Sequence, residues 1–199
     1  MLEMSESKMR ILQAALDLFS KNGVEATSVG MIADQVGIRK ASLYSHFDSK
    51  QDIFDTLFTY VTERYEENSY FTNFRELAVS TDVERIITQV KGQLAFSLHD
   101  PVISKTRRML TIEQFRMEDV SREQERRTYG DIVRCYAAYV RTWMDSGLLR
   151  RGDAELLAEE FVSPISMQLF RVDRDPALEE EAIRLIEKHI RHFFTVYGK

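Results

Sequence analysis

Between positions 27 and 50 the chain gathers side chains suited to holding phosphate oxygens and the edges of bases. Thr27 and Ser28 bring hydroxyls, Arg39 and Lys40 bring cations, Ser42, Tyr44 and His46 bring hydrogen-bonding groups, and Lys50 adds a further cation. Ala41, between them, is small enough to let a backbone sit deep in a groove. A hydroxyl beside the free N–H groups of a helix N-terminus suits a phosphate oxygen, and the same hydroxyl serves equally as a plain helix cap, so both roles stay open for Thr27 and Ser28. Arg39 can grip guanine O6 and N7 through two parallel bonds or simply meet a phosphate. Lys50 at the start of a helix is disfavoured by the helix dipole, and a nearby phosphate would explain it. His46 has no cysteine or carboxylate at metal-ligand spacing, which favours a phosphate contact over a metal.

Presenting such groups calls for short helices at sharp angles. The apolar spacing of Ile11, Ala15, Leu18 and Phe19 predicts a helix from about Lys8 to Lys21, capped by Ser5 or Ser7 and ended by Gly23. Thr27 or Ser28 opens a second, short helix carrying Ile32, Ala33 and Val36, which Gly37 stops. A third runs from about Lys40 to His46, with Leu43 and Phe47 as its buried positions and Tyr44 therefore expected outside. Ser49 and Asp52 have capping-box spacing and start a long fourth helix near Lys50, carrying Ile53, Leu57, Tyr60, Val61 and Tyr65. Two short helices joined by a tight turn and braced by a preceding amphipathic helix have the geometry of a helix-turn-helix.

The run TSVGMIADQVGIRKASLYSHFDSKQDIF from Thr27 to Phe54 closely resembles the DNA-binding signature of the TetR family of repressors. The resemblance rests on Thr27-Ser28, Ile32-Ala33, Val36-Gly37, Leu43-Tyr44, His46-Phe47, and Lys50 ahead of Ile53. It departs where that family commonly caps the reading helix with a small hydroxyl residue and this chain has Arg39, so the arginine is expected to contribute binding instead. The resemblance implies an all-α chain: a three-helix DNA-binding domain over residues 1–50, then a helical ligand-binding and dimerisation domain over residues 51–199, about nine helices in all. It also implies a dimer on palindromic double-stranded operator DNA. A small-molecule effector of unknown identity would tilt the helix near Asp55 to Tyr65 and move the two reading heads off the spacing of about 34 Å between successive major grooves.

The remainder reads as helices. Phe71 to Thr81 is polar and marks the expected boundary, with Thr81 or Asp82 capping a helix to about Leu98. Asp100-Pro101 is a cap followed by a first-turn proline, opening a helix to about Met117. Ser121 and Gln124 have capping-box spacing and predict one long helix to Gly147; two more helices flank the polar stretch RVDRDP, over about 153–170 and 177–197. Phe96, Met109, Phe115, Met117, Tyr136, Tyr139, Trp143, Met144 and Met167 are suited to a drug-sized apolar pocket or to plain core. Leu157, Phe161, Ile165 and Leu169 form one stripe, and Ile183, Ile186, Ile190, Phe193 and Tyr197 another. The resemblance makes these the homodimer interface, while part of each stripe goes to the core of a single chain. Pro164 should kink the first of these helices.

A net charge of −5 over 199 residues excludes a protein that coats nucleic acid, and residues 1–60 alone hold six Lys/Arg against eight Asp/Glu, so any DNA contact is local. The chain has no apolar run near the roughly 20 residues of a membrane span, and a cytoplasmic protein without membrane partner is expected. The lone Cys135 is read as a small buried hydrophobe. His189 and His192, beside Lys188 and Arg191, are read as helix-end cations. Glu113 and Asp119 stand as isolated carboxylates, and with no phosphate loop, HExxH or nucleophile motif an enzyme is not expected, nor a cofactor. A helical protein-protein adaptor without specific DNA binding is the alternative.

Overall fold

The computed structural model describes residues 4–68 and 82–199, and ten α-helices occur among them: α1 (Glu6–Asn22), α2 (Val29–Val36), α3 (Lys40–Tyr44), α4 (Lys50–Asn68), α5 (Val83–His99), α6 (Pro101–Glu113), α7 (Glu118–Glu125), α8 (Ile132–Asp145), α9 (Ala154–Arg174) and α10 (Glu179–Tyr197). The expected boundary segment from Phe71 to Thr81 lies outside the described residues. By packing, the chain forms two compact units, one of Met1–Ser69 with Asp100–Ser121 and one of Tyr70–His99 with Arg122–Lys199. The expected division at residue 50 follows the DNA-binding signature; the packing follows a different line, because α4 and α6 share a core with α1 to α3.

In the first unit the helix ends obey local chemistry. Ser5, Ser28 and Ser49 accept from the amides of Lys8, Met31 and Asp52, and Gly37 ends α2 in the left-handed region at φ 78°. Ile11, Leu12, Ala15 and Phe19 of α1 are fully buried, together with Ile32, Leu43, Ile53, Leu57 and Met109. Phe19 meets Phe54 edge-on at 6.3 Å. Asp100 caps α6 by accepting from the amides of Val102 and Ile103, with Pro101 in the first turn.

The second unit is built on an aromatic cluster. Trp143 of α8 lies 5.6 Å from Phe161 of α9 and 5.3 Å from Phe194 of α10, and Phe161 lies 5.0 Å from Phe193. Three helix bounds depart from the sequence expectation. Helix α7 starts at Glu118, ahead of the Ser121 box, because Val120 is drawn into the core. The expected single helix to Gly147 is interrupted by a π-helical turn at Arg126–Asp131, which contains Gly130. Helix α9 runs through RVDR to Arg174 because Val172 is buried, outweighing the polar neighbours.

Candidate nucleic-acid interface

Helix α3 is only five residues long, so its position comes from its neighbours rather than from its own propensity. Leu43 is fully buried and Phe47, just beyond the helix, is 2% exposed; together they anchor α3 to the core. That leaves Lys40, Ala41, Ser42 and Tyr44 facing solvent, with Tyr44 45% exposed as the helical period requires. The Lys40 ammonium lies 5.9 Å from the Tyr44 ring centre, a contact between two neighbours on the same face. Arg39 is exposed at the N-cap position and makes no side-chain cap, so its guanidinium is not spent on its own helix. His46 is half-buried in the turn after α3. Ser28 is exposed and caps α2 through its oxygen, keeping its hydroxyl proton for another acceptor.

Two of the nine candidate residues turn inward instead. Thr27 is completely buried, and its hydroxyl donates to the Gly23 carbonyl at 2.8 Å, so it does not present a hydroxyl at the surface. Lys50 curls back to donate to the carbonyls of Val24 at 2.7 Å, Thr27 at 3.0 Å and Glu25 at 3.2 Å. Three carbonyls in one turn account for a cation at this helix start. Lys8, which sequence reasoning passed over, lies 5.2 Å above the Phe47 ring and so sits beside the turn that follows α3. Only the spatial neighbourhood of Phe47 shows this. Arg10 donates to the Val36 carbonyl at 3.0 Å and closes the C-terminal end of α2.

Of the candidate pocket residues, Tyr136, Tyr139 and Trp143 are brought together in one cluster. Met109 is fully buried in the first unit, while Phe115 is 89% and Met167 58% exposed. Phe96 is half-buried on α5. Tyr136, Tyr139 and Trp143 are buried in the aromatic cluster of the second unit, where the Trp143 indole Nε1 and the Gln93 Oε1 are buried without a hydrogen-bond partner. A cleft of about 400 Å³ lies between Arg150, Leu156, Glu160, Val196 and Tyr197, and none of the nine candidates lines it. Cys135 is half-buried rather than fully buried; burial pushes its thiol up, and the Sγ donates to the Tyr139 hydroxyl at 3.0 Å.

The candidate dimer stripes need a similar correction. Leu157, Phe161, Ile186, Ile190 and Phe193 are core of a single chain, while Ile165, Leu169, Ile183 and Tyr197 are half-buried at its edge. The Tyr197 hydroxyl donates to Glu160 of the same chain at 2.5 Å. The large apolar side chains exposed on α9 and α10 are Leu156, Met167, Leu185 and Val196, one helical step away from the stripes that were named. Among the described residues no group of three or more His, Cys, Asp or Glu is placed to hold a metal, and no helix is long and apolar enough to cross a membrane.

Two family profiles match the chain. "Bacterial regulatory proteins, tetR family" covers residues 11–57, and "AefR-like transcriptional repressor, C-terminal domain" covers residues 86–199. The HTH-type transcriptional regulator AcrR of Shigella flexneri is 42% identical over 55 residues, 28% of this chain and 26% of that protein, so the match spans about a quarter of this curated relative. A tetR-family regulator from Mesorhizobium loti superposes with a TM-score of 0.72 at 20% identity, over 98% of this chain and 100% of the other. The SmeT–triclosan complex does so at 0.69 and 18% identity, over 98% and 93%; SmeT is the repressor of a Stenotrophomonas maltophilia multidrug efflux pump. A reading head ordered as α1 to α3, an all-helical remainder, and a profile match over more than half its length establish that this chain belongs to the TetR family of bacterial transcriptional regulators, not to a family of enzymes.

Proposed function

We propose that this protein is a repressor that binds a palindromic operator as a homodimer and lets go when a small amphipathic molecule enters its second unit. The observation that carries the reading is the outward face of α3, where Arg39, Lys40, Ala41, Ser42 and Tyr44 are exposed while Leu43 and Phe47 hold the helix down. Ser28, Lys40 and His46 meet phosphates, Ser42 and Tyr44 approach base edges, and Arg39 reads a guanine. One such head buries too little DNA for regulatory affinity, which requires two heads one helical turn apart. The exposed Leu156, Met167, Leu185 and Val196, with half-buried Ile165 and Leu169 beside them, supply the apolar surface for pairing α9 and α10 with a second copy. The partnerless Trp143 Nε1–H, inside the aromatic cluster, favours a ligand offering an acceptor, and no cofactor is called for. In SmeT a ligand, triclosan, is bound to the protein of that name.

The test is selection of genomic DNA fragments on the purified protein, followed by affinity against salt on the best fragment. Enrichment of a palindrome with a steep salt slope supports the reading. Dimerisation with no enriched sequence and a flat slope overturns it in favour of a protein-protein adaptor. Arg39→Ala should cost roughly 1–3 kcal/mol against the operator and little against a site changed at the guanine it reads. An equal loss on every sequence would reduce Arg39 to a phosphate contact.

A further inference from the structure

Glu113, the last residue of α6, is 1% exposed, with Arg116 three residues on and its guanidinium close to the same glycine, Gly23, that the Glu113 carboxylate approaches. Its Oε1 accepts from the Val24 backbone N–H at 2.7 Å, across 89 residues of chain. Val24 lies in the turn that joins α1 to α2, and the carbonyl of this same residue is the one Lys50 of α4 holds most closely, at 2.7 Å. Both backbone polar groups of Val24 are therefore gripped by side chains of opposite charge, one from α6 and one from α4. Gly23 is built for this approach: its φ is +83°, and a Cβ there would stand 2.7 Å from the Glu113 Oε1. The far ends of α4 and α6 are also tied, since Arg64 meets the α6 cap Asp100 at 2.5 Å. Burial pushes the Asp100 carboxyl up, but the bonds from Arg64 and from the α6 amides outweigh it and hold it below the usual carboxylate range. Lys105 in the middle of α6 pairs with Asp17 of α1. These bonds close a frame: turn, α4, α6 and back to the turn.

From this frame we infer that Glu113 is a positioning residue for DNA reading: through Val24 it makes the placement of α2 and α3 depend on α6, so withdrawal of α6 unseats the reader. The inference rests on the DNA-binding reading above and deepens its regulation. Helix α6 follows α5 after the single residue Asp100. Four residues after Val24, Ser28 caps α2, and a shift of the turn is passed to the first residue of the reading pair. A buried carboxylate with one backbone donor is costly to keep, which is consistent with a function that needs the bond.

The full-length chain and three variants test this on the selected operator and on unrelated DNA. Glu113→Gln keeps the acceptor oxygen and should hold operator affinity within about threefold. Glu113→Ala, and Glu113→Asp, whose carboxylate is one methylene short, should each lose about tenfold or more on the operator with about twofold or less on unrelated DNA. A part played in stability alone would lower the melting temperature and leave the specificity ratio of the folded protein unchanged, which overturns the inference. Equal loss in the Gln and Ala variants overturns it as well. If Glu113→Ala does not fold, Glu113→Asp and the exchange of the wild-type Val24 amide carry the test. Slow exchange that slows further on operator binding supports the frame, and unprotected exchange refutes it. Absence of any sequence preference in the wild type is a separate failure, that of the DNA-binding reading, and it shows before any variant is made.

Discussion

The two compact units are held together by different physics. In the first, helices of eight and five residues cannot persist alone, and their ends are fixed by directional polar bonds: Thr27 to Gly23, Lys50 to three carbonyls and Glu113 to Val24 at buried or half-buried atoms for the most part, and Arg10 to Val36 at the surface. In the second, long helices are joined by rings meeting edge to face, with Trp143–Phe161, Trp143–Phe194, Phe161–Phe193 and Phe193–Phe194 at 5.0 to 5.6 Å. Directional bonds have one good geometry and fail abruptly, which suits an element that must present side chains in a single register. Apolar packing tolerates small displacements better, which suits the ligand entry proposed for this unit.

Breaking the aromatic cluster should have the largest effect on stability. Phe161→Ala removes a fully buried ring that touches several others and should cost about 3–5 kcal/mol in a denaturant titration. A loss under about 1 kcal/mol would mean that the second unit is not held by this cluster.

On the polar side, Lys50→Met strips the α1–α2 turn of its donor and should cost about 1–3 kcal/mol. The comparison is sharpened on DNA: Lys50→Met should weaken operator binding without changing its salt slope, whereas Lys40→Ala should lower the slope by about one. A reduced slope in the Lys50 variant would return that ammonium to the phosphate backbone.

The smallest effect concerns a polar tie between two helices of the aromatic cluster. His189 is half-buried, with its Nε2 2.9 Å from the Phe161 carbonyl. Burial lowers the affinity of its ring for a proton, the bond to Phe161 works the other way, and His192 adds to the lowering. The folded chain thus resists protonation more than the unfolded chain does, so stability is full above about pH 6.5 and declines as pH falls below it. The melting temperature should drop by about 1–3 °C between pH 7.5 and 5.5 on account of this ring, and His189→Gln should reduce the drop. Asp100, held below the usual range, does not titrate in that window. An unchanged drop in the variant would remove His189 from the pH response.

Local rules were readable in the chain because they act within a turn of helix. Ser28 and Ser49 cap, Gly37 stops α2, Asp100-Pro101 opens α6, and the burial of Leu43 and Phe47 forces Tyr44 outward. The family signature added the identity of the reading helix. Roles that depend on a distant segment were not readable: Lys50 and Glu113 are bound to the α1–α2 turn across 23 to 26 and 89 positions, whereas Thr27, open to reading as a cap or a phosphate contact, turns inward to Gly23 only four residues back.

Periodicity also identified the apolar stripes of α9 and α10 without deciding which neighbour each one faces. Phe161 and Ile190 went to the core and Leu156 and Met167 to the surface because a helix has more than one apolar side, and only packing distributes them. By itself the sequence determined the all-helical class, the start and stop of the reading helices and the family, since caps, glycines and apolar spacing act over a few residues. Tertiary structure alone decided which polar groups look outward and which are consumed inside, because a donor is satisfied by whatever acceptor the fold brings within about 3 Å, however far along the chain it lies.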